Sequence, residues 1–366
     1  MGFNCGIVGL PNVGKSTLFN ALTSTAQAEA ANYPFCTIEP NVGRVPVPDP
    51  RLDTLSRLSK SEKTVPTFLE IVDIAGLVRG ASKGEGLGNQ FLGHIRSVDA
   101  IIMMLRCFED PNITHVEGSI DPLRDAETIE TELMLADLES LERRVDPLRK
   151  RATSGDRETK AEVAVMERVL SVLRDGKPAR TVEVSAEEQR IFRQLDLLTA
   201  KPILYVCNVD EDSAADGNAH SQKVVEKAQA EGAGAVVVSA AIEAEVAQLG
   251  SVEERKDFLE SLGLSETGLD RVISAGYALL DLVTFLTTGP KESRAWTVPR
   301  GSTAPQAAGA IHTDFERGFI CAEVIAYDDF VAAGSENAAK EAGKMRQEGR
   351  DYIIQDGDVV HFRFNV

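Results

Sequence analysis

The chain begins with a short apolar run that leads directly into Gly9-Leu10-Pro11-Asn12-Val13-Gly14-Lys15-Ser16-Thr17. This stretch has the form G-x-x-x-x-G-K-S, and a helix-forming run follows it, which is the strand–loop–helix context of a phosphate-binding loop. The glycines let backbone N–H groups turn towards phosphate oxygens at the positive end of a helix. Lys15 is predicted to reach the β- and γ-phosphates, and Ser16 to bind Mg²⁺. The residues predicted to bind the nucleotide here are Asn12, Val13, Gly14, Lys15, Ser16 and Thr17.

Short apolar runs recur along the chain, and each ends in a polar or glycine-rich turn. They occupy residues 3–10, 68–74, 100–107, 202–207 and 235–239. Helical patterns between some of them are typical of an α/β domain with a mostly parallel sheet and helices on both faces. Ligands of such sheets bind at the carboxyl ends of the strands, where the phosphate-binding loop also lies.

A helical segment interrupts the sheet between residues 73 and 208. Apolar residues follow a 4-3-4-3 spacing at Met134, Leu138, Leu141, Val145 and Leu148, and a 3-4-3 spacing at Val163, Met166, Leu170 and Leu173. Residues 151–157 between the two patterns are polar. We predict an antiparallel, coiled-coil-like hairpin inserted into the nucleotide domain. Two ordinary amphipathic helices on the sheet are the alternative.

The character of the chain changes after about residue 286, where residues 287–290 read as a linker. Strand-like runs at 294–298, 319–326 and 359–364 and one charged helical run at 337–348 predict a small α+β module. The predicted organisation is a discontinuous nucleotide-binding domain over 1–125 and 200–282, a helical hairpin over 126–199, and a C-terminal module over 283–366.

Composition limits the classes of partner. The 366 residues are 43% hydrophobic and carry a net charge of −18, which argues against a general affinity for nucleic-acid backbone and so against sequence-specific DNA binding, though not against a local basic face that docks on a ribonucleoprotein. No apolar stretch is long enough to span a bilayer, and the N-terminus does not resemble a signal peptide. The five cysteines form no CxxC pair, so reduced thiols are expected. We expect a cytoplasmic monomer.

Two further motifs complete a nucleotide switch. Asp73-Ile74-Ala75-Gly76 has the form D-x-x-G, which predicts Asp73 as a Mg²⁺ ligand and Gly76 as the sensor of the γ-phosphate. Thr37 is the candidate switch threonine that completes the Mg²⁺ shell. The next position after D-x-x-G is Leu77, which cannot orient water as the glutamine of Ras-like enzymes does. We hypothesise that His115 positions the water; a hydrogen-bonded surface histidine is the alternative.

Base recognition departs from the guanine-specific N-K-x-D pattern. The strand at 202–207 is followed by Asn208-Val209-Asp210-Glu211, and the strand at 235–239 ends in Ser239-Ala240-Ala241. Asn208 remains to read the N7 edge, but Val209 replaces the lysine and Glu211 the aspartate. Guanine N1–H and N2–H₂ without well-placed acceptors would cost a few kcal/mol, so adenine is predicted over guanine. A shifted register in which Asp210 restores guanine reading is the alternative.

Asn12 lies in the phosphate-binding loop and resembles the asparagine found there in potassium-dependent proteins with this loop. A monovalent cation such as K⁺ beside the phosphates would neutralise transition-state charge in place of an arginine finger.

Together, these residues resemble the YchF subfamily of Obg-like ATPases. The resemblance rests on G-L-P-N-V-G-K-S-T, A-N-Y-P-F-C-T-I-E-P-N, V-D-I-A-G-L-V-x-G-A-S-K-G-E-G-L-G-N and the N-x-x-E strand, and it continues through the last third, where 304–319 and 351–364 are similar to the family's TGS domain. It implies a P-loop G domain with an inserted helical domain and a C-terminal β-grasp TGS domain. It also implies ATP preferred to GTP, slow hydrolysis to ADP, association with the ribosome (the large subunit or the 70S particle), and a negative role in stress responses.

Three functions remain open on the sequence. The first is a Mg²⁺-dependent ATPase that controls ribosome binding, with the cleft between hairpin and TGS module as the docking surface. The second is a GTPase of the same fold. The third is a nucleotide-sensing binding module whose hydrolysis is incidental, which Leu77 favours.

Overall fold

The computed structural model describes residues 3–30, 41–74, 87–115, 118–152 and 157–365. The strands are β1 (Asn4–Val8), β2 (Val42–Pro46), β3 (Lys63–Val65), β4 (Phe68–Asp73), β5 (Ala100–Arg106), β6 (Ile203–Asn208), β7 (Gly234–Val238), β8 (Leu282–Thr287), β9 (Glu292–Pro299), β10 (Phe319–Ala326), β11 (Arg346–Glu348) and β12 (Asp358–Phe364). The helices are α1 (Lys15–Ala30), α2 (Pro50–Ser59), α3 (Leu87–Ser97), α4 (Pro122–Ala152), α5 (Arg157–Arg174), α6 (Gln189–Gln194), α7 (Ala219–Glu231), α8 (Ala240–Val246), α9 (Val252–Ser261), α10 (Gly268–Leu279), α11 (Ala304–Ile311), α12 (Thr313–Arg317), α13 (Tyr327–Ala333) and α14 (Glu336–Glu341). No helix within these ranges is long and apolar enough to cross a membrane.

The first sheet has the order β2-β4-β1-β5-β6-β7 among the described strands. All neighbours pair in parallel except β2, which is antiparallel to β4. The central strand β5 is buried at every position, as expected when helices cover both faces of a parallel sheet. The predicted α/β architecture is confirmed, and each of the five apolar runs overlaps one strand of this sheet.

The predicted helical hairpin is confirmed as α4 and α5. The first half of α4 packs on the sheet through Ala126, Ile129 and Leu133, whereas the second half packs on α5 in a separate core that contains Leu141 and Val145. At about 1.5 Å per residue, the 31 residues of α4 extend for roughly 45 Å. This helix therefore connects the nucleotide domain to the far end of the hairpin without a break.

The second sheet has the order β11-β10-β12-β8-β9-β3 and forms the C-terminal β-grasp module. Residues of α11 share a core with one face of the sheet, and residues of α2, α13 and α14 share a core with the other. The helix α2 and the strand β3 come from the first quarter of the chain, and β3 pairs in parallel with β9. The N-terminal part of the chain thus supplies one strand and one covering helix to the C-terminal sheet.

Two sequence predictions in the last third are wrong. Residues 287–290 are not a linker between domains, because Thr287 ends β8, which already belongs to the second sheet, and the residues after it form the turn to β9. The Thr288 hydroxyl in this turn donates to Ser59 Oγ at 2.7 Å. The helical run predicted over 337–348 ends early, since Gly343 adopts a positive φ of 70° and the chain continues as β11, which pairs with β10.

Candidate functional site

The loop between β1 and α1 needs its glycines. Gly14 has a φ of +93°, and a Cβ there would lie 2.3 Å from the Asn208 amide nitrogen. A Cβ on Gly9 would lie 2.8 Å from the carbonyl oxygen of Met104. Gly14 therefore supplies the left-handed turn of the loop, and both glycines leave no room for a side chain, as a phosphate-binding loop requires.

Two predicted phosphate and metal residues, Lys15 and Asp73, meet at the carboxyl end of the first sheet. The Lys15 ammonium group contacts the Asp73 carboxylate, which ends β4 directly beside β1. Ser16 and Thr17 are exposed in the first turn of α1. The Ser16 hydroxyl and the Asp73 carboxylate are hard oxygen donors, which is the donor type that Mg²⁺ prefers. The described residues contain no group of three or more His, Cys, Asp or Glu side chains arranged to hold a metal ion.

Two predicted residues of this region, Thr37 and Gly76, lie outside the described residues, as does Leu77. Their roles in binding Mg²⁺ and the γ-phosphate stay predictions.

The Asn208 side chain joins the two loops that flank the site. Its amide nitrogen donates to the Val13 carbonyl oxygen at 2.9 Å, and its amide oxygen accepts from the Ala240 N–H at 2.9 Å. The side chain is buried. Asn208 thus holds the phosphate loop against the start of α8. The sequence suggested a contact with the base, which stays a prediction; only the three-dimensional arrangement reveals the bridging role.

The other predicted base-reading residues line the adjacent edge. Val209 is buried, and its N–H donates to the Val238 carbonyl oxygen at 2.8 Å. The Asp210 carboxylate accepts from the Ser213 N–H at 3.0 Å and so caps the 3₁₀ turn Glu211–Ser213. Glu211 is exposed, whereas Ser239 is buried and its hydroxyl has no hydrogen-bond partner among the described residues. Asp210 is therefore engaged locally, and Glu211 is the carboxylate that faces outwards.

His115 lies between the phosphate loop and the first turn of α4. Its Nε2 is 2.9 Å from Asp125 Oδ2, and both side chains are buried. The preceding residue, Thr114, accepts a hydrogen bond through its carbonyl oxygen from the Asn12 amide at 3.1 Å. Burial raises the pKa of Asp125, although His115 and Arg124 act in the opposite direction. The histidine is hydrogen-bonded but not at the surface, and its contact with water stays a prediction.

Two further residues beside His115, Asp125 and Arg106, were not predicted from the sequence. The Arg106 guanidinium is buried at the end of β5 and donates to the carbonyl oxygens of Phe108 at 3.1 Å and Ile113 at 3.0 Å. It therefore fixes the loop that leads to His115. An arginine that closes an uninterrupted apolar strand is a signal that could have identified it.

Comparisons with known proteins agree with this geometry. Residues 4–136 match a family model described as "50S ribosome-binding GTPase", and residues 282–365 match YchF-GTPase_C, described as "Protein of unknown function (DUF933)". The chain is 60% identical over 366 residues to the ribosome-binding ATPase YchF of Haemophilus influenzae and 56% identical over 368 residues to that of Bacillus subtilis, with full coverage of both chains in each case. The solved structure of the Schizosaccharomyces pombe YchF GTPase superposes with a TM-score of 0.89 at 40% identity, covering 99% of this chain and 98% of that one.

Proposed function

This chain belongs to the YchF family, and on that premise we propose that it is a Mg²⁺-dependent ATP hydrolase that acts as a nucleotide switch, binds the ribosome and regulates translation or a stress response. The observation that carries the proposal is the contact of Lys15 with Asp73 beside a glycine-dependent loop, with Ser16 exposed at the next position. Relatives of full length are named ribosome-binding ATPases.

The residues divide into three groups by role. Residues 12–17 hold the phosphates, with the Lys15 ammonium group at the β- and γ-oxygens. Ser16, Asp73 and Thr37 hold Mg²⁺, which when bound neutralises charge on the phosphate oxygens. Gly76 senses the γ-phosphate, and Asn12 binds a monovalent cation such as K⁺. The Lys15–Asp73 contact opens when the nucleotide arrives, because the phosphates then take the lysine.

Adenine is the base we propose, with GTP the poorer substrate. Asn208, Val209, Glu211, Ser239 and Ala240 surround the base. Two observations support adenine: the Asp210 carboxylate is held by the Ser213 N–H, and the side chain after Asn208 is a buried valine rather than a lysine that would cover the base. Guanine N1–H and N2–H₂ are then left without a well-placed acceptor, because Glu211, which is one methylene longer, stands in place of the aspartate of N-K-x-D.

Equilibrium binding tests the base preference. Dissociation constants for ATP and GTP, each with Mg²⁺, are measured on the same nucleotide-free protein. We expect ATP to bind at least tenfold more tightly, a difference of about 1.4 kcal/mol. The Lys15→Ala variant is the control that should lose affinity for both nucleotides. Tighter binding of GTP would contradict the ATPase proposal and favour a GTPase.

The basic side chains at the end of the hairpin support the proposal that the protein binds the ribosome. Residues 143–152 and 157–160 contain seven Lys or Arg and two acidic residues, on a chain whose net charge is −18. Most of these basic side chains are exposed, for example Arg149 and Lys160. A local positive surface on an acidic protein suits the phosphate groups of ribosomal RNA. We propose that this end of the hairpin, with the cleft towards the C-terminal module, contacts the large subunit or the 70S particle.

Co-sedimentation tests the switch. The protein is centrifuged with 70S particles and with separated subunits, in a non-hydrolysable ATP analogue or in ADP. We expect binding that differs between the two nucleotides, and weaker binding at high salt. Equal sedimentation in both nucleotides would contradict a switch, and no sedimentation in either would contradict ribosome binding.

A nucleotide-sensing module with incidental hydrolysis is the second candidate, because Leu77 replaces the water-orienting glutamine. A hydrolysis-deficient variant that still binds ATP and still restores the phenotype of a deletion strain would support it.

A further inference from the structure

The first half of α4 carries buried carboxylates whose partners differ in kind. Asp137 accepts from the backbone N–H groups of Leu198 and Thr199, at 2.9 and 2.8 Å, and so anchors the helix to the chain that returns from the hairpin. Glu130 pairs with Arg180 and lies 3.5 Å from Lys227. Both contacts join structural elements. Asp125 instead contacts an imidazole that belongs to the loop beside the phosphate-binding site.

The segment that ends in His115 is fixed on both sides. The Ile113 carbonyl oxygen accepts from the buried Arg106 at 3.0 Å, and the Thr114 carbonyl oxygen accepts from Asn12 of the phosphate loop at 3.1 Å. Asp125 then holds the ring itself at 2.9 Å. The ring of His115 is thereby held in one orientation relative to the phosphate loop.

A buried carboxylate next to an imidazole has a defined chemical effect. When the Asp125 carboxylate is ionised it only accepts hydrogen bonds, and the His115 Nε2 is then the donor in this contact. A neutral ring then has its second nitrogen unprotonated, the form that accepts a hydrogen bond from water.

We propose that Asp125 is a positioning residue for ATP hydrolysis, which orients the His115 ring so that it can hold the attacking water. The inference rests on the proposed function. In the reaction the water oxygen bonds to the γ-phosphorus, the bond from that phosphorus to the β–γ bridging oxygen breaks, and the electron pair stays on ADP. One water proton remains on inorganic phosphate and the other is released to solvent. Asp125 acts on this step only through His115.

Steady-state ATP hydrolysis at saturating Mg²⁺-ATP tests the proposal. The variants are Asp125→Asn, His115→Ala, the double variant and Asp137→Asn. We expect Asp125→Asn to lower kcat by about tenfold or more with KM within about twofold, since Asp125 acts on the reaction only through His115. The double variant should be no slower than His115→Ala alone, because both changes remove the same interaction.

Asp137→Asn is the matched control, because Asp137 is a buried residue on the same helix whose carboxylate accepts from Leu198 and Thr199. It should lower the midpoint of thermal unfolding while kcat stays within about twofold of the wild type. Asp125→Glu, which keeps the charge but moves it by one methylene, should recover part of the lost kcat, and it supplies the test if Asp125→Asn does not fold.

Several results would overturn the proposal. An unchanged kcat in Asp125→Asn would remove it, as would additive losses in the double variant. Equal losses of kcat in Asp125→Asn and Asp137→Asn would show a purely structural effect. If the wild type hydrolyses ATP while Asp125→Asn is equally active, only this inference is overturned. If the wild type does not hydrolyse ATP, the proposed function is overturned with it.

Discussion

At the scale of the residue, the Asn208 side chain connects the two loops that flank the site. Its amide bonds the backbones of Val13 and Ala240, and all three groups are buried. We expect Asn208→Ala to lower the free energy of unfolding by about 1–3 kcal/mol, because a buried carbonyl and a buried N–H lose their partners. The same change should weaken ATP binding, since the phosphate loop is no longer held. Urea denaturation and ATP titration measure the two effects.

Asn218→Ala is the control for this prediction. The Asn218 amide donates to the Cys107 carbonyl oxygen at 2.6 Å and caps α7, but it bonds neither loop of the site. Its loss should cost comparable stability with little change in ATP affinity. An Asn208→Ala protein that binds ATP as the wild type does would show that the bridge is not needed for binding.

At the same scale, the sequence predicted which residues lie at the site more accurately than it predicted the contacts that each residue makes there. Lys15 and Asp73 follow from two motifs, and the fold brings them into contact. The pairing of His115 with Asp125 spans only ten positions, yet no periodic pattern joins a loop histidine to a carboxylate inside a helix. It depends on how the loop after β5 folds back, which Arg106 sets through backbone carbonyl groups.

At the scale of the element, the hairpin has its own core. Leu141 is 0% exposed between α4 and α5, whereas Leu135 on the same helix is 41% exposed. We expect Leu141→Ala to lower the free energy of unfolding by about 2–5 kcal/mol through the lost burial and the cavity. Leu135→Ala should cost less than about 1 kcal/mol. Hydrogen exchange should locate the loss of protection in α4 and α5, and loss mainly in the first sheet would contradict a separate core.

The contact between α2 and the C-terminal module predicts a pH dependence. Asp356 accepts from Arg51 at 2.7 Å and from the Thr284 N–H at 2.8 Å. Burial raises the pKa of Asp356, but these bonds lower it by more, so the net shift is downwards. Since the folded state holds the ionised form, this contact stabilises the protein above the ordinary aspartate pKa of about 3.9 and is lost as the pH falls through the lower folded-state pKa.

Asp356→Asn tests that dependence. At pH 7 it should lower the free energy of unfolding by less than about 1 kcal/mol, because the Asp356 side chain is 47% exposed and solvent screens the pair. The difference from the wild type should vanish as the pH falls below the folded-state pKa. Asp281→Asn removes an ion pair with Arg300 whose partners are 61% and 74% exposed, and it should change stability little. A difference that persists at low pH would contradict the role of charge.

At the scale of the whole molecule, the parallel strands of the first sheet were predictable from the sequence. The contribution of an N-terminal strand, β3, to the second sheet was not. The buried strands of the first sheet were predictable because each is a continuous apolar run, as in β5. The strand β3 was not, since it has three residues of which only Val65 is buried, and its pairing is fixed by β9 far along the chain. Contacts at such sequence distance leave no local pattern.

Because α2 and β3 pack with the C-terminal module, we predict that a chain without this module has exposed apolar surface. Leu52 and Leu55 of α2 are buried in a core whose other members include Leu286, Ile325 and Phe330. A chain that ends at Asp281 exposes both leucines and leaves β3 without its partner strand. We expect this truncated protein to bind a hydrophobic dye and to self-associate in analytical ultracentrifugation, because an apolar helix face and an open strand are uncovered together.

The same truncation with Leu52→Ser and Leu55→Ser should associate less, which would assign the effect to α2. A truncated protein that stays monomeric, binds no dye and keeps the thermal midpoint of the full chain would show that the first sheet and the hairpin do not depend on the second sheet.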